Sequence, residues 1–219
     1  MVFKNTWLAA ATATLVLAAG SAQAGTVNLT ASEDGIFGAE NWSMSGLGRI
    51  MEDGAIPSYN GRAGAFHFDD GMSTFIAFCI EPGVWLDLGS SFETGTNPLA
   101  GSVMANVDKL FSAAYDQVTD ALSAAAFQVA LWEVVAENSG AFDLTDGNHY
   151  LATGGDVTAL GNIFLGDMAN AETGRYAYTT YVNDGQDQIS VSEVPLPASA
   201  LLLLAGLGGM TAFGRRKKA

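Results

Sequence analysis

Two residues in this chain have types that could do chemistry together. Cys79, in Phe78-Cys79-Ile80-Glu81, is the one cysteine in 219 residues, so no intramolecular disulfide can engage it. Gln128, in Ala124-Ala125-Ala126-Phe127-Gln128-Val129-Ala130-Leu131-Trp132-Glu133, is a lone amide in an apolar run. A thiolate can attack a glutamine side-chain carbonyl, expel ammonia and leave an intramolecular thioester. That step needs the two groups held in near-attack geometry and water kept away. The plainer roles are a buried small hydrophobe for the cysteine and an amide bonded to the backbone of a neighbouring strand for the glutamine. A buried amide without a partner costs about 1–3 kcal/mol, so Gln128 requires one partner or the other.

The elements that must position the pair can be read from the pattern around them. Thr74–Glu81 is strand-like and is stopped by Pro82-Gly83, which puts Cys79 near a strand end. Alternation sets Phe75, Ala77 and Cys79 on one face and Thr74, Ile76, Phe78 and Ile80 on the other. Gln128 falls inside a helix predicted from Thr119, as N-cap, to Asn138, closed with Gly140. From Ala121 to Ala136 the polar residues are Ser123, Gln128 and Glu133. They fall at roughly 0°, 140° and 280° around the axis, so this helix has no polar face and should be buried all round. Further helices are predicted over Ser102–Gln117 and Asp156–Glu172, the latter weakened by Gly161 and Gly166. Thr26–Ala31, Gly64–Phe68, Arg175–Val182 and Gln188–Val191 read as strands, with turns at Asp53-Gly54, Asn60-Gly61 and Asp70-Gly71. Antiparallel strands flanking a helical middle give an α+β fold in a single domain over residues 25–192.

Other chemical candidates carry less. Glu133 could orient the Gln128 region, although a salt bridge or a rim position is the more ordinary role, and Trp132 reads as core. Asp143 and Asp146 lie in the acidic loop Asp143-Leu144-Thr145-Asp146-Gly147-Asn148, a weak calcium candidate without the ligand alternation or closing Glu of an EF-hand. His67 and His149 are far apart and lack a metal partner, and Glu52-Asp53 and Asp69-Asp70 suit turns. No P-loop, G-x-S-x-G elbow or readable carboxylate pair occurs, and no cofactor is expected.

Charge excludes one class outright. Between residues 25 and 194, Arg49, Arg62, Lys109 and Arg175 stand against all 23 acids of the chain, a surface that repels phosphate backbones and nucleic acid. The other five bases sit at the two ends. Lys4, the apolar stretch Trp7–Ala19 and the small-x-small pattern Ala22-Gln23-Ala24 read as a signal peptide over residues 1–24, cleaved before Gly25. At the other end, Ala198–Phe213 is apolar and is followed by Arg215-Arg216-Lys217-Lys218. Sixteen helical residues reach about 24 Å, slightly short of a ~30 Å hydrocarbon core. The basic cluster sets the cytoplasmic side, which places the domain outside the inner membrane.

Two resemblances build on these residues. Val194-Pro195-Leu196-Pro197-Ala198, the apolar segment and the Arg-Arg-Lys-Lys tail resemble the VPLPA variant of the PEP-CTERM sorting signal, over residues 194–219. That resemblance implies an exosortase-type enzyme that recognises the Pro-containing motif, cuts nearby and releases or re-anchors the protein, much as a GPI signal directs sorting and is then lost. Phe78-Cys79-Ile80-Glu81 and Phe127-Gln128-Val129-Ala130-Leu131-Trp132 resemble the two halves of the thioester-domain pattern of bacterial surface adhesins. Many PEP-CTERM surface proteins are similar, with a closing Gln-Asp segment where this chain has Gly185-Gln186-Asp187-Gln188-Ile189. The similarity spans roughly residues 70–192. The Thr-Gln dipeptide that many Gram-positive members carry near their start does not occur here.

The resemblance implies that Cys79 and Gln128 form the reactive bond and that the domain captures a surface amine, such as a lysine, by a single acyl transfer rather than by turnover. The expected molecule is an exported precursor held at the inner membrane by its C-terminal transmembrane helix, then a cell-surface or extracellular protein facing a surface amine or a polysaccharide matrix. The alternative is a structural matrix protein of the same fold with no thioester. A secreted hydrolase working through carboxylates ranks third.

Overall fold

The computed structural model describes residues 24–45, 47, 50–52, 56–59, 61–137, 141–147, 149–151 and 155–194. The first half is built of short strands: β1 (Gly25–Val27), β2 (Thr30–Ala31), β3 (Ser43–Met44), β4 (Ile50–Glu52), β5 (Ile56–Tyr59), β6 (Ala63–Gly64), β7 (Phe66–Asp69), β8 (Thr74–Cys79) and β9 (Phe92–Thr94). Helices α1 (Gly101–Ala114) and α2 (Ala121–Ala136) follow, then β10 (His149–Leu151), α3 (Asp156–Asp167), β11 (Tyr176–Val182) and β12 (Gln188–Glu193). This is the expected α+β arrangement, strands on either side of a helical middle.

Seven strands make the main sheet, antiparallel throughout, in the order β1-β9-β11-β12-β8-β7-β2. The order places β8, which carries Cys79, between β7 and β12 rather than at an edge. Smaller sheets pair β10-β4-β5 and β3-β6. The stretch Thr26–Ala31, expected as one strand, is two: β1 lies on one edge of the main sheet and β2 on the other, with buried Leu29 between them. Strands β3, β4, β5, β9 and β10 had no counterpart in the sequence reading.

The helices cover the sheet. α1 buries Val107, Leu110, Phe111 and Ala114, one stripe at helical spacing. α2 is buried without a break from Ser123 to Val134, as its lack of a polar face requires. Its N-cap is Asp120, not Thr119. The Asp120 side chain accepts from the backbone N–H of Ser123 at 2.7 Å, and Ser123 Oγ accepts in return from the Asp120 N–H at 3.0 Å, a closed capping box. α3 ends at Asp167 and tightens into a 3₁₀ turn over Met168–Asn170, short of the predicted Glu172. Gly161 is a contact point rather than a weakness. A Cβ there would stand 2.5 Å from Leu144 Cδ1 and 3.2 Å from the carbonyl oxygen of Ala126, so the missing side chain lets α3 lie against α2.

Aromatic rings join the two layers. Phe78 of β8 meets Phe127 of α2 at 4.7 Å between centroids, and Phe127 meets Phe111 of α1 at 4.9 Å. Tyr178 of β11 packs edge-on to Phe111, and its hydroxyl donates to Asp108 at 2.7 Å. Each such pair contributes about 0.5–1.5 kcal/mol beyond area burial. Phe78 and Phe127 immediately precede Cys79 and Gln128, so the same ring contact that binds helix to sheet also fixes the spacing of the chemical pair.

Candidate functional site

Cys79 ends β8 and is fully buried. Beyond it the chain leaves the ladder. The Ile80 N–H reaches the carbonyl of Asp187 at 3.0 Å, the Glu81 N–H turns back onto Cys79 Sγ at 3.3 Å, and Gly83 takes a left-handed φ of 83°. Pro82-Gly83 therefore does what the sequence suggested and stops the strand one turn past the thiol.

Gln128 comes to Cys79 from the helical side, also fully buried. Its Oε1 accepts from the Cys79 backbone N–H at 2.9 Å, and its Nε2 donates to the Cys79 carbonyl at 2.8 Å. The amide thus bonds to both backbone groups of a single residue, and that residue is the cysteine. The expected strand partner and the expected cysteine are one and the same.

This arrangement has chemical consequences. Were sulfur to attack the Gln128 carbonyl carbon, negative charge would develop on Oε1, the atom at which the Cys79 N–H is already aimed. A donor preset where charge will form is the logic of an oxyanion hole. The thiol itself is quiescent. Burial, first of all, pushes its pKa up to about 12, and the nearby Glu81 and Asp187 carboxylates add to the rise. Hydrogen bonds from the Trp132 side chain and the Glu81 N–H pull the other way. At neutral pH the group is protonated, as a buried nucleophile kept from stray oxidation should be.

The strand on the other side of β8 and the two residues ahead of it supply Gln188, Asp187 and Gln186, to which the sequence assigned no individual role. Gln188 pairs with Cys79 in register and is fully buried. Its Nε2 donates to Gln186 Oε1 at 2.9 Å, while its Oε1 has no hydrogen-bond partner among the described residues. Asp187 is half-buried, and its N–H approaches Glu81 Oε2 at 3.3 Å. Burial and the Glu81 charge raise its pKa to about 6. The Gly185–Ile189 segment was visible by resemblance as a closing element. Only strand register shows that it closes onto the cysteine.

Trp132, one turn beyond Gln128, is core as expected and also forms the inner wall of a pocket of about 210 Å³ with Gln186, Trp85 and Arg62. Glu133 is not on a rim. It is fully buried, and its Oε1 accepts from the backbone N–H of Asp143 at 2.9 Å, so it anchors the 141–147 loop to α2. In that loop the carboxylate of Asp143 accepts from Thr145 N (2.9 Å), Thr145 Oγ1 (2.7 Å) and Asn162 Nδ2 (3.0 Å), and that of Asp146 from Gly147 N. These carboxylates serve loop hydrogen bonds. Among the described residues no group of three or more His, Cys, Asp or Glu is placed to hold a metal ion.

The ends of the described region are Ala24, exposed just ahead of β1, and Val194, exposed and pinned by its N–H to the Arg175 carbonyl at 3.0 Å. Ala22, Pro195, Leu196, Pro197, Ala198, Arg215 and Arg216 lie outside the described residues. Among the described residues no helix is long and apolar enough to cross a membrane. No family model, curated protein or solved structure matches the chain.

Proposed function

We propose that this is an exported, exosortase-sorted surface protein whose domain attaches covalently to an amine through a Cys79–Gln128 thioester. The observation that carries the covalent reading is the clasp of the Gln128 amide on the backbone of Cys79, with both residues fully buried. The bond forms when Sγ joins the Gln128 carbonyl carbon and the bond from that carbon to Nε2 breaks. The thiol proton leaves with Nε2 as ammonia. In capture the same carbon is attacked again, and sulfur is the leaving group. An incoming amine nitrogen bonds to the same carbon, the bond to Sγ breaks, and the amine proton returns to sulfur. The product is a secondary amide on Gln128 and a free Cys79 thiol, so each molecule reacts once.

Export and sorting rest on the two chain ends, a signal peptide over residues 1–24 and the VPLPA-type segment over 194–219 with its transmembrane helix. The partners of this reading are the inner membrane, an exosortase-type enzyme, and a surface amine or polysaccharide-matrix target. Comparing the chain's C-terminus in cells with and without the sorting enzyme tests the processing. A shorter chain only in the presence of the enzyme supports it, and equal lengths contradict it.

A second reading is favoured by the completeness of the same clasp. Both polar atoms of the Gln128 amide have backbone partners, which is what a purely structural glutamine needs. On that reading the chain is a matrix protein of the same fold without the bond. Intact mass of the purified protein separates the two: a deficit of one ammonia for the thioester, full mass with a titratable thiol for the structural protein.

A further inference from the structure

We propose that the pocket beside Trp132 binds a uronic acid unit of an acidic polysaccharide, its carboxylate paired with Arg62 and its pyranose ring laid against Trp85. The site is non-covalent and stands whether or not the thioester forms.

Arg62 is the first observation. Within a stretch where four bases face 23 acids, its guanidinium makes no salt bridge among the described residues. It is nevertheless held in place. Nη1 donates to Asn41 Oδ1 at 3.1 Å and to Ser43 Oγ at 3.3 Å, and the guanidinium carbon lies 5.2 Å from the Phe37 ring centroid. Among the described residues its other N–H groups have no hydrogen-bond partner, and a planar fork fixed in this way suits a carboxylate taken by two parallel hydrogen bonds. No acidic residue is among the described residues lining the pocket. The surrounding negative charge acts over a screening length of about 8–10 Å, so it does not cancel a guanidinium in direct contact.

Trp85 is the second, independent observation. It is 83% exposed, an unusual position for an indole. The turn that presents it is built rather than loose. The Gln186 N–H donates to the Trp85 carbonyl at 3.0 Å and Gln186 Nε2 to the Val84 carbonyl at 2.8 Å. A Cβ on Gly185 would stand 2.9 Å from the Asp87 nitrogen, so the two segments approach as closely as a glycine permits. An indole held rigidly at the rim of a pocket offers a flat apolar face to the C–H face of a sugar ring while polar substituents stay wet.

Size and hydrogen-bonding capacity favour a sugar over a peptide. At about 210 Å³ the pocket is below the roughly 300 Å³ from which drug-sized ligands are housed, and it suits a single ring. A peptide backbone would need main-chain partners, and the Val84 and Trp85 carbonyls here are already taken by Gln186. A pyranose needs a face and a partner for its carboxylate, and the pocket supplies both.

The test is an equilibrium titration of the purified full chain in detergent, followed by calorimetry and tryptophan fluorescence. The probes are a galacturonate trisaccharide, its methyl ester, a neutral glucose trisaccharide and an acidic aromatic peptide. The expected result is saturable binding of the acidic sugar that weakens with salt. Binding should be at least about tenfold weaker for the ester and for Arg62→Gln and Trp85→Ala, a factor worth about 1.4 kcal/mol. Both side chains are exposed, so these variants keep the core, and Arg62→Lys should recover only part of the loss. Absence of binding to the acidic sugar, equal affinity for acid and ester, no effect of Trp85→Ala, or tighter binding of the peptide would each overturn the assignment. The mass of the same sample reports the thioester separately, so failure of one claim leaves the other to be judged alone.

Discussion

Gln188 lies directly across the sheet from Cys79, and among the described residues the carbonyl oxygen of its buried amide has no hydrogen-bond partner, whereas Gln128, on the helix side, has both polar atoms bonded to that same cysteine. One cysteine therefore sits between a satisfied amide and a half-satisfied one. The two glutamines should respond differently to substitution.

Gln128→Leu removes the partners of a buried N–H and a buried C=O in one step. Each orphaned group costs about 1–3 kcal/mol, so a loss of roughly 2–6 kcal/mol is expected. Gln188→Met removes an oxygen without a partner among the described residues and an amide donor whose partner is the Gln186 side chain, while both backbone groups of Cys79 keep their bonds, so it should cost less than Gln128→Leu. Denaturant unfolding of the two variants beside the wild type checks this. Equal losses would mean that the clasp is not what holds α2 to β8.

Asp120→Ala opens the capping box of α2. The expected cost is about 0.5–2 kcal/mol, read from thermal unfolding. Thr119→Ala should change stability by only a few tenths, because the Thr119 side chain is not the cap. A larger effect at Thr119 than at Asp120 would contradict the assignment.

The Asp187 carboxyl has a pKa of about 6 in the fold, raised by burial and by Glu81 from an ordinary 3.8. A group with a raised folded pKa contributes stability that is fully present below its unfolded value and is lost as pH climbs through the folded one. Stability should therefore decline from about pH 4 to above pH 6 through this residue. Asp187→Asn should flatten that part of the curve, and Glu81→Gln should move it to lower pH. Curves that remain parallel to the wild type across the window would exclude a protonated Asp187.

In Gln128→Ala, which cannot form the bond, Cys79 carries a free thiol. With a pKa near 12 against an ordinary 9.0, its thiolate fraction at pH 8 is roughly a thousandfold lower than that of an unfolded chain. Alkylation should be slow in buffer and fast in denaturant. Rapid alkylation of the folded variant would show that the interior is open to water.

What the sequence made legible follows from how local each signal is. Cys79 and Gln128 stood out because each is chemically foreign to apolar surroundings, and a helix with no polar face has to be buried. The position of Asp120 was harder, since Thr119 and Asp120 are both good caps. What decides between them is Ser123, which stands three residues beyond the aspartate and closes the box. β4, β9 and β10 span three residues each, too short for alternation to register. Thr26–Ala31 looked like one strand because periodicity reports faces and says nothing about which edge a segment pairs with. The part played by Gln186, Asp187 and Gln188 depends on the register of β12 against β8, a non-local fact that no window of sequence contains. Of the two ordinary roles considered for Glu133, a salt bridge or a rim position, the rim is excluded by its burial, which depends on a partner, the Asp143 N–H, supplied by a loop beyond the end of its own helix.

Intact mass spectrometry of the purified, natively folded protein decides whether the sulfur of Cys79 and the side-chain carbonyl of Gln128 become joined. The expected result is a mass one ammonia short of the sequence, no titratable thiol, and return to full sequence-calculated mass in both Cys79→Ala and Gln128→Ala. A wild-type protein of full mass with one free thiol on denaturation would contradict it.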